Sequence, residues 1–320
     1  MLITVLYCTI FFAAFNFTSS IMAGLYIVQE LGGSADIASY NVTLFGLGNA
    51  STFPLAHFLG ARFGVRSVLL TGLALFALCT WGCALAPTFF IFVLLRLLSG
   101  ICTGVFFPLG MEWIQSLFPM EQRNKSFNYL AVLTTISPVL GASFGGWLSY
   151  DFHWSLVFYT QLPLIIFCFF ILYQQQGPKP TETPPLDVPG FLSYLLTIFP
   201  LTLFVCLGQE LDWLRSPLLS WLLPVGLGSL LFFCAWEWRQ QEPFIQLRLF
   251  TIPLFSLSCL FLILLYSAYF GMVILLTLWL HLNANYTVLW ISLLLSHMLI
   301  AAWLLYLFLA KWMGKFSPWY

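Results

Sequence analysis

Arg96 is the side chain in this sequence that most demands a chemical explanation. It is the only basic residue deep inside an apolar segment, where a guanidinium costs on the order of 3 kcal/mol on insertion scales. It must therefore face a cavity or a partner. Gly100 and Gly104 follow at four-residue steps, so a close helix contact is expected beside it. Two readings stand: a cation bonded to backbone carbonyls at a helix break, or a group that moves charge or binds a solute. Asn16, Ser20 and Gly24 make a polar stripe on the first segment, and Asn49 follows Gly46 and Gly48 on the second. Either set could serve interhelical hydrogen bonds or a bound solute.

A second group of candidates lies at segment ends. His57 to Arg66 reads His-Phe-Leu-Gly-Ala-Arg-Phe-Gly-Val-Arg, in which Gly64 supplies the positive φ of a tight turn and Arg62 and Arg66 anchor the inner face. Glu112 is expected to pair with Arg62 or Arg66 as an inner-face latch, with a proton-carrying role as the alternative. The third candidate is a stripe of small residues. Ser137, Gly141 and Gly145 recur every fourth residue, with Ala142 and Gly146 beside them and Pro138 among them. In lipid, such a stripe lets helices approach closely, so it reads as a packing or sliding seam.

The elements that carry these residues must be membrane helices. The chain of 320 residues is 61% hydrophobic and 7% charged, too apolar for a water-soluble fold to cover itself. Ten apolar segments can each cross roughly 30 Å of hydrocarbon as a helix: Leu2 to Val28, Asp36 to Gly60, Ser67 to Ala86, Thr88 to Trp113, Phe127 to Tyr150, Trp154 to Tyr173, Val188 to Leu207, Pro217 to Trp236, Leu254 to Leu280 and Val288 to Ala310. With an inner amino terminus, Arg62, Arg66, Arg123, Lys125, Lys179, Arg239, Arg248, Lys311 and Lys315 all fall inside. That bias places both termini in the cytoplasm. Arg215 joins Glu30, Asp36, Asp151, Glu210 and Asp212 outside. The first segment has no basic lead and no small-residue cleavage site, so it is expected to stay as a helix.

Two polar stretches divide the chain into an expected all-α arrangement: a six-helix bundle (1–173), a proline-rich linker (174–187), a helix pair (188–236), a second linker (237–253) and two further helices (254–320). The zero net charge argues against nucleic acid as a partner. Eight cysteines sit within apolar segments; Cys79 and Cys83 share a helix face with no His or carboxylate beside them, and read as small buried hydrophobes rather than a metal or disulfide site. No phosphate loop, His-Glu-x-x-His or Gly-x-Ser-x-Gly occurs, so no cofactor or enzyme activity is expected.

Taken in order, several stretches resemble the major facilitator superfamily, specifically its fourteen-helix drug:proton antiporters of the EmrB type. They are Phe45 to Ala50 leading to Pro54-Leu55, the His57 to Arg66 loop, Arg96-Leu-Leu-Ser-Gly100, Ser137 to Gly146, and His153-Trp154 with Phe158 and Pro163. Gly208 to Trp213 and Pro243 to Phe250 look like segments flanking the two extra helices. The resemblance implies a major facilitator fold with a complete first bundle, two linker helices and a partial second bundle. It implies proton-coupled efflux of amphipathic compounds across a bacterial inner membrane, with the bilayer, protons and a periplasmic adaptor or separate carboxyl-terminal half as partners. By the same resemblance, Arg96 would tune proton transfer, the seam would limit leak, and Arg62, Gly64, Arg66 and Glu112 would gate the inner face. Departures are Asn16 where the family carries Asp, His57 and Ala61 in the loop, Ser99 for Gln and Ala142 for Pro. Such relatives have four more spans, so the chain reads as a truncated or split form. An inactive remnant, an assembly subunit and a metabolite uptake carrier are the alternatives.

Overall fold

A computed structural model describes residues 2–33, 37–119, 123–178, 186–240 and 243–316. Asp36, Lys179 and half of the expected proline-rich linker (179–185) lie outside these residues. The described chain is helical with no strand. In order, the helices are α1 (Leu2–Glu30), α2 (Ala38–Thr52), α3 (Ala56–Phe63), α4 (Val65–Ala84), α5 (Phe89–Thr103), α6 (Phe106–Leu117), α7 (Arg123–Asp151), α8 (Leu156–Tyr159), α9 (Leu162–Tyr173), α10 (Val188–Leu207), α11 (Pro217–Arg239), α12 (Pro253–Leu282) and α13 (Val288–Phe316). Eight of the helical stretches are long and apolar enough to cross a membrane.

Three segments expected as single spans are interrupted, and proline accounts for each break. A proline has no N–H to give the carbonyl four residues back. Pro54 releases Ala50 O where α2 ends, Pro108 releases Gly104 O between α5 and α6, and Pro163 releases Tyr159 O where α8 ends. The α2–α3 break keeps that segment below the length of a continuous span. The freed Ala50 carbonyl accepts a hydrogen bond from Tyr194 Oη at 3.0 Å, which docks α10 on α2. Gly64 joins α3 to α4 with φ +85°, a conformation that a side chain would strain.

Apolar faces decide the packing. Leu6 of α1, Leu69, Leu73 and Phe76 of α4, Phe106 and Leu109 of α6 and Ile165 and Leu172 of α9 are all fully buried in one cluster. Burying such side chains contributes in water about 1.5–3 kcal/mol each, whereas in lipid tight packing must supply the contact energy. α1 also lies along α7, and α2 along α5. A separate cluster of Met22, Leu25, Ala142, Val288, Ile291 and Leu295 ties α13 to α1 and α7. α12 buries only Thr277; its first half presents residues such as Leu257, Phe261 and Leu264 outward, while Leu276, Leu278 and Leu280 pack against the last-named cluster.

Candidate functional site

The site begins with two helices that touch backbone to backbone. A Cβ on Gly100 of α5 would overlap Phe45 O, and one on Gly48 of α2 would overlap Leu97 O. Gly104 meets α2 in the same way, at Thr52 and Asn49 O. The contact places Arg96, one turn before Gly100, directly over the α2 face that carries Asn41 and Phe45.

Arg96 is fully buried and its fork is engaged by three neutral side chains. Nε donates to Asn41 Oδ1 at 2.7 Å, one terminal nitrogen to Asn16 Oδ1 at 2.5 Å and the other to Ser20 Oγ at 2.7 Å. The guanidinium carbon stands 4.4 Å from the centroid of Phe45, on a face whose quadrupole attracts a cation. The acceptors are themselves fixed. Asn16 Nδ2 donates to Gln161 Oε1 at 3.1 Å, Gln161 Nε2 donates to Val157 O at 2.6 Å, and Asn41 Nδ2 donates to Ser20 O at 2.8 Å. The oxygens around Arg96 therefore belong to side chains on α1 and α2, not to backbone carbonyls at a helix break, which corrects that reading.

Among the described residues no carboxylate pairs with Arg96, since the ion pairs found join only histidines to glutamates. A guanidinium does not release its proton in a protein, and amides and hydroxyls do not take one up near neutrality. The cluster can hold a fixed positive charge and orient a polar or anionic group. On these residues alone it has no proton to exchange. Asn16 thus preserves an acceptor for Arg96 at the position where the resemblance expects an acid.

Two cavities border α1, and the first shares Phe45 with this cluster. One of about 280 Å³ is bordered by Phe17, Phe45, Asn49 and Thr103, with Ile10 and Phe107 among its apolar walls. The other, about 190 Å³, lies between α1, α7, α12 and α13 and is bordered by Met22, Pro138, Ala142, Tyr269, Met272 and Met298. Phe17 bridges toward the later helices, with its ring 5.7 Å from Phe270.

The small-residue stripe of α7 divides between two neighbours. Gly141 sits against Phe15 O and Thr18, and Gly145 against the backbone of Ser19, both on α1. Gly146 sits against Ser292 of α13, Ala142 packs on Val288, Ile291 and Leu295, and Ser143 Oγ lies 2.6 Å from Ser296 Oγ. Ser137 bonds its own helix, at Leu133 O 2.6 Å away, one residue before Pro138.

The structure does not assemble the expected latch. Glu112 Oε2 lies 3.4 Å from His57 Nδ1, while Arg62 stacks on Phe58 and Phe63 of its own helix. Arg66 reaches the other way, donating to Tyr173 O at the end of α9. The reason is rotational. Arg62 follows His57 by five residues, about 140° around a helix, so His57 and not Arg62 meets α6. Asn41 and Gln161 were not singled out from sequence. The available signals were the eight-residue spacing of Asn41 from Asn49 and the isolated amide between Phe158 and Pro163.

Comparison with known proteins bears on the chain as a whole. A sequence model described as Major Facilitator Superfamily matches residues 6–320. The chain is 28% identical to the multidrug export protein EmrB of Haemophilus influenzae, over 83% of this chain and 53% of that protein. It is 29% identical to the fatty acid resistance protein FarB of Neisseria gonorrhoeae, over 89% of this chain and 56% of that one. The chain thus spans about half the length of these curated relatives. A crystal structure of the POT family transporter PepTSo superposes with a TM-score of 0.53 at 12% identity, covering 71% of this chain and 51% of that one. That likeness concerns the fold alone.

Proposed function

The chain belongs to the major facilitator superfamily, and from that premise we propose that it forms part of an exporter that exchanges amphipathic organic compounds for protons across a bacterial inner membrane. The observation that carries this reading is the sustained similarity to proteins named for multidrug export and fatty acid resistance. The geometry supports it through the α7 seam, which touches α1 on one side and α13 on the other. Transporters of this kind rock two helical bundles about a midplane site, and a seam of small residues suits helices that must slide. In this reading residues 1–173 are one bundle, 188–236 a linking pair and 254–320 the start of the second bundle, with 174–187 and 237–253 on the cytoplasmic side beside both termini.

Arg96 would then act as a fixed cation that orients the polar end of a substrate, Gly100 and Gly104 would hold α2 against it, and proton carriage would rest on groups other than Asn16. Arg62, Gly64, Arg66 and Glu112 would shape the inner face. The test is accumulation of an amphipathic dye in a pump-deficient bacterial host expressing the chain. The expected result is lowered accumulation that returns when an uncoupler is added and is lost in Arg96→Ala at equal expression. Undiminished efflux in Arg96→Ala would remove Arg96 from the mechanism, and efflux indifferent to uncoupler would remove proton exchange.

A further inference from the structure

Far from the Arg96 cluster, where α11 leads toward α12, two carboxyl groups converge on one glycine. Asp187 precedes α10, and its Oδ1 accepts Gly190 N at 3.0 Å as a helix cap. Both of its oxygens accept from Trp236 Nε1, at 3.1 and 3.0 Å. Glu237 follows Trp236 on α11, is 1% exposed, and uses Oε2 to accept Ile245 N at 3.2 Å. Its other oxygen, Oε1, is buried without a hydrogen-bond partner. A Cβ on Gly190 would strike both Glu237 Oε1 and Asp187 Oδ2, so the two oxygens face the same point across the glycine.

A buried carboxylate oxygen with no donor is costly, and a second carboxylate beside it makes double ionisation costlier still. A cation could relieve both. Among the described residues, the charged groups on the surrounding elements are Arg239 on α11 and Arg248 on the turn Leu247–Thr251, and Arg248 donates instead to Trp238 O. Neither arginine forms an ion pair with Asp187 or Glu237 among the described residues. A proton needs no new partner, because a protonated Glu237 becomes a donor and Asp187 Oδ2 lies beside the same point over Gly190.

We propose that Asp187 and Glu237 share one proton, and that this carboxyl–carboxylate clasp fastens the α10–α11 pair to the segment that enters α12. The proton comes from solvent, resides on Glu237 Oε1 and is donated to Asp187 Oδ2. Deprotonation leaves two anions across Gly190 and opens the clasp. The site is separate from the export reading and needs no transport activity to be tested.

Infrared spectroscopy of the purified chain in detergent tests it. At neutral pH the spectrum of the parent minus that of Glu237→Gln should show a lost protonated-carboxyl stretch. A lost carboxylate stretch would overturn the proposal. If the variant does not fold, isotope-labelled glutamate in the parent gives the same information: the neutral-pH carboxyl band must shift with the label, and a band that stays in place refutes the clasp. Because the folded pair would bind more protons than the unfolded chain near neutrality, stability must fall as pH rises. The parent should lose melting temperature from neutral to alkaline pH while Glu237→Gln stays flat, and coincident profiles would also refute the clasp.

Discussion

Arg96 is held by shape as much as by charge. Its fork spreads three donors over Asn41, Asn16 and Ser20, whereas a lysine concentrates its donors at one atom and cannot reach all three acceptors. Each buried acceptor left without a partner costs about 1–3 kcal/mol. Arg96→Lys is therefore expected to lower the unfolding free energy by about 2–4 kcal/mol despite keeping the charge, read as a fall in melting temperature in detergent. An unchanged melting temperature would mean that the charge, and not the hydrogen-bond geometry, anchors this residue. The need for a partner was legible from sequence, because an arginine in an apolar segment requires one. The partners were not, because Asn41 is 55 positions away and Gln161 meets Asn16 across 145. Which amide meets which depends on helix rotation, and apolar periodicity sets rotation only coarsely when every face of a helix is apolar.

At the scale of helices, glycines decide which pairs come into backbone contact. A methyl group on Gly100 would overlap the backbone of α2, which cannot move aside as a flexible side chain could. Gly100→Ala should cost about 1–3 kcal/mol of overpacking, more than alanine gains in helix propensity. Gly228 of α11 is the internal control, since nothing lies within 4 Å of an added Cβ there. Gly228→Ala should be neutral or stabilising by up to about 1 kcal/mol. Paired thermal melts of the two variants check the argument, and equal effects would mean that α2 and α5 do not touch as described. The four-residue spacing of Gly100, Gly104, Gly141 and Gly145 announced close contacts in advance. It did not announce that α7 would spend its glycines on α1 and α13 at once. The breaks before Pro108 and Pro163 were hidden by a different cause, since a long apolar run reads as one span even where a proline removes a helical hydrogen bond.

For the whole molecule, the contact of α7 with α13 links helices far apart in sequence. Ser143 and Ser296 touch through their hydroxyls at 2.6 Å, so cysteines there would bring two sulfurs face to face. Ser143→Cys with Ser296→Cys, in a background without the native cysteines, should cross-link on mild oxidation and shift electrophoretic mobility after cleavage of the connecting chain. A pair that stays reduced would show that α13 does not lie on this face of α7. If export proceeds by rocking, the cross-linked protein should also lose efflux and regain it on reduction.

The neutral surroundings of Arg96 have an electrical consequence. One fixed elementary charge sits among amides and hydroxyls with no counter-charge among the described residues, and its sign does not change with pH. A membrane potential does work on such a charge, about 2.3 kcal/mol per 100 mV for a full crossing. Any rearrangement that carries α5 along the membrane normal is thus a gating current in miniature, and the voltage across the bilayer biases it as directly as a ligand would.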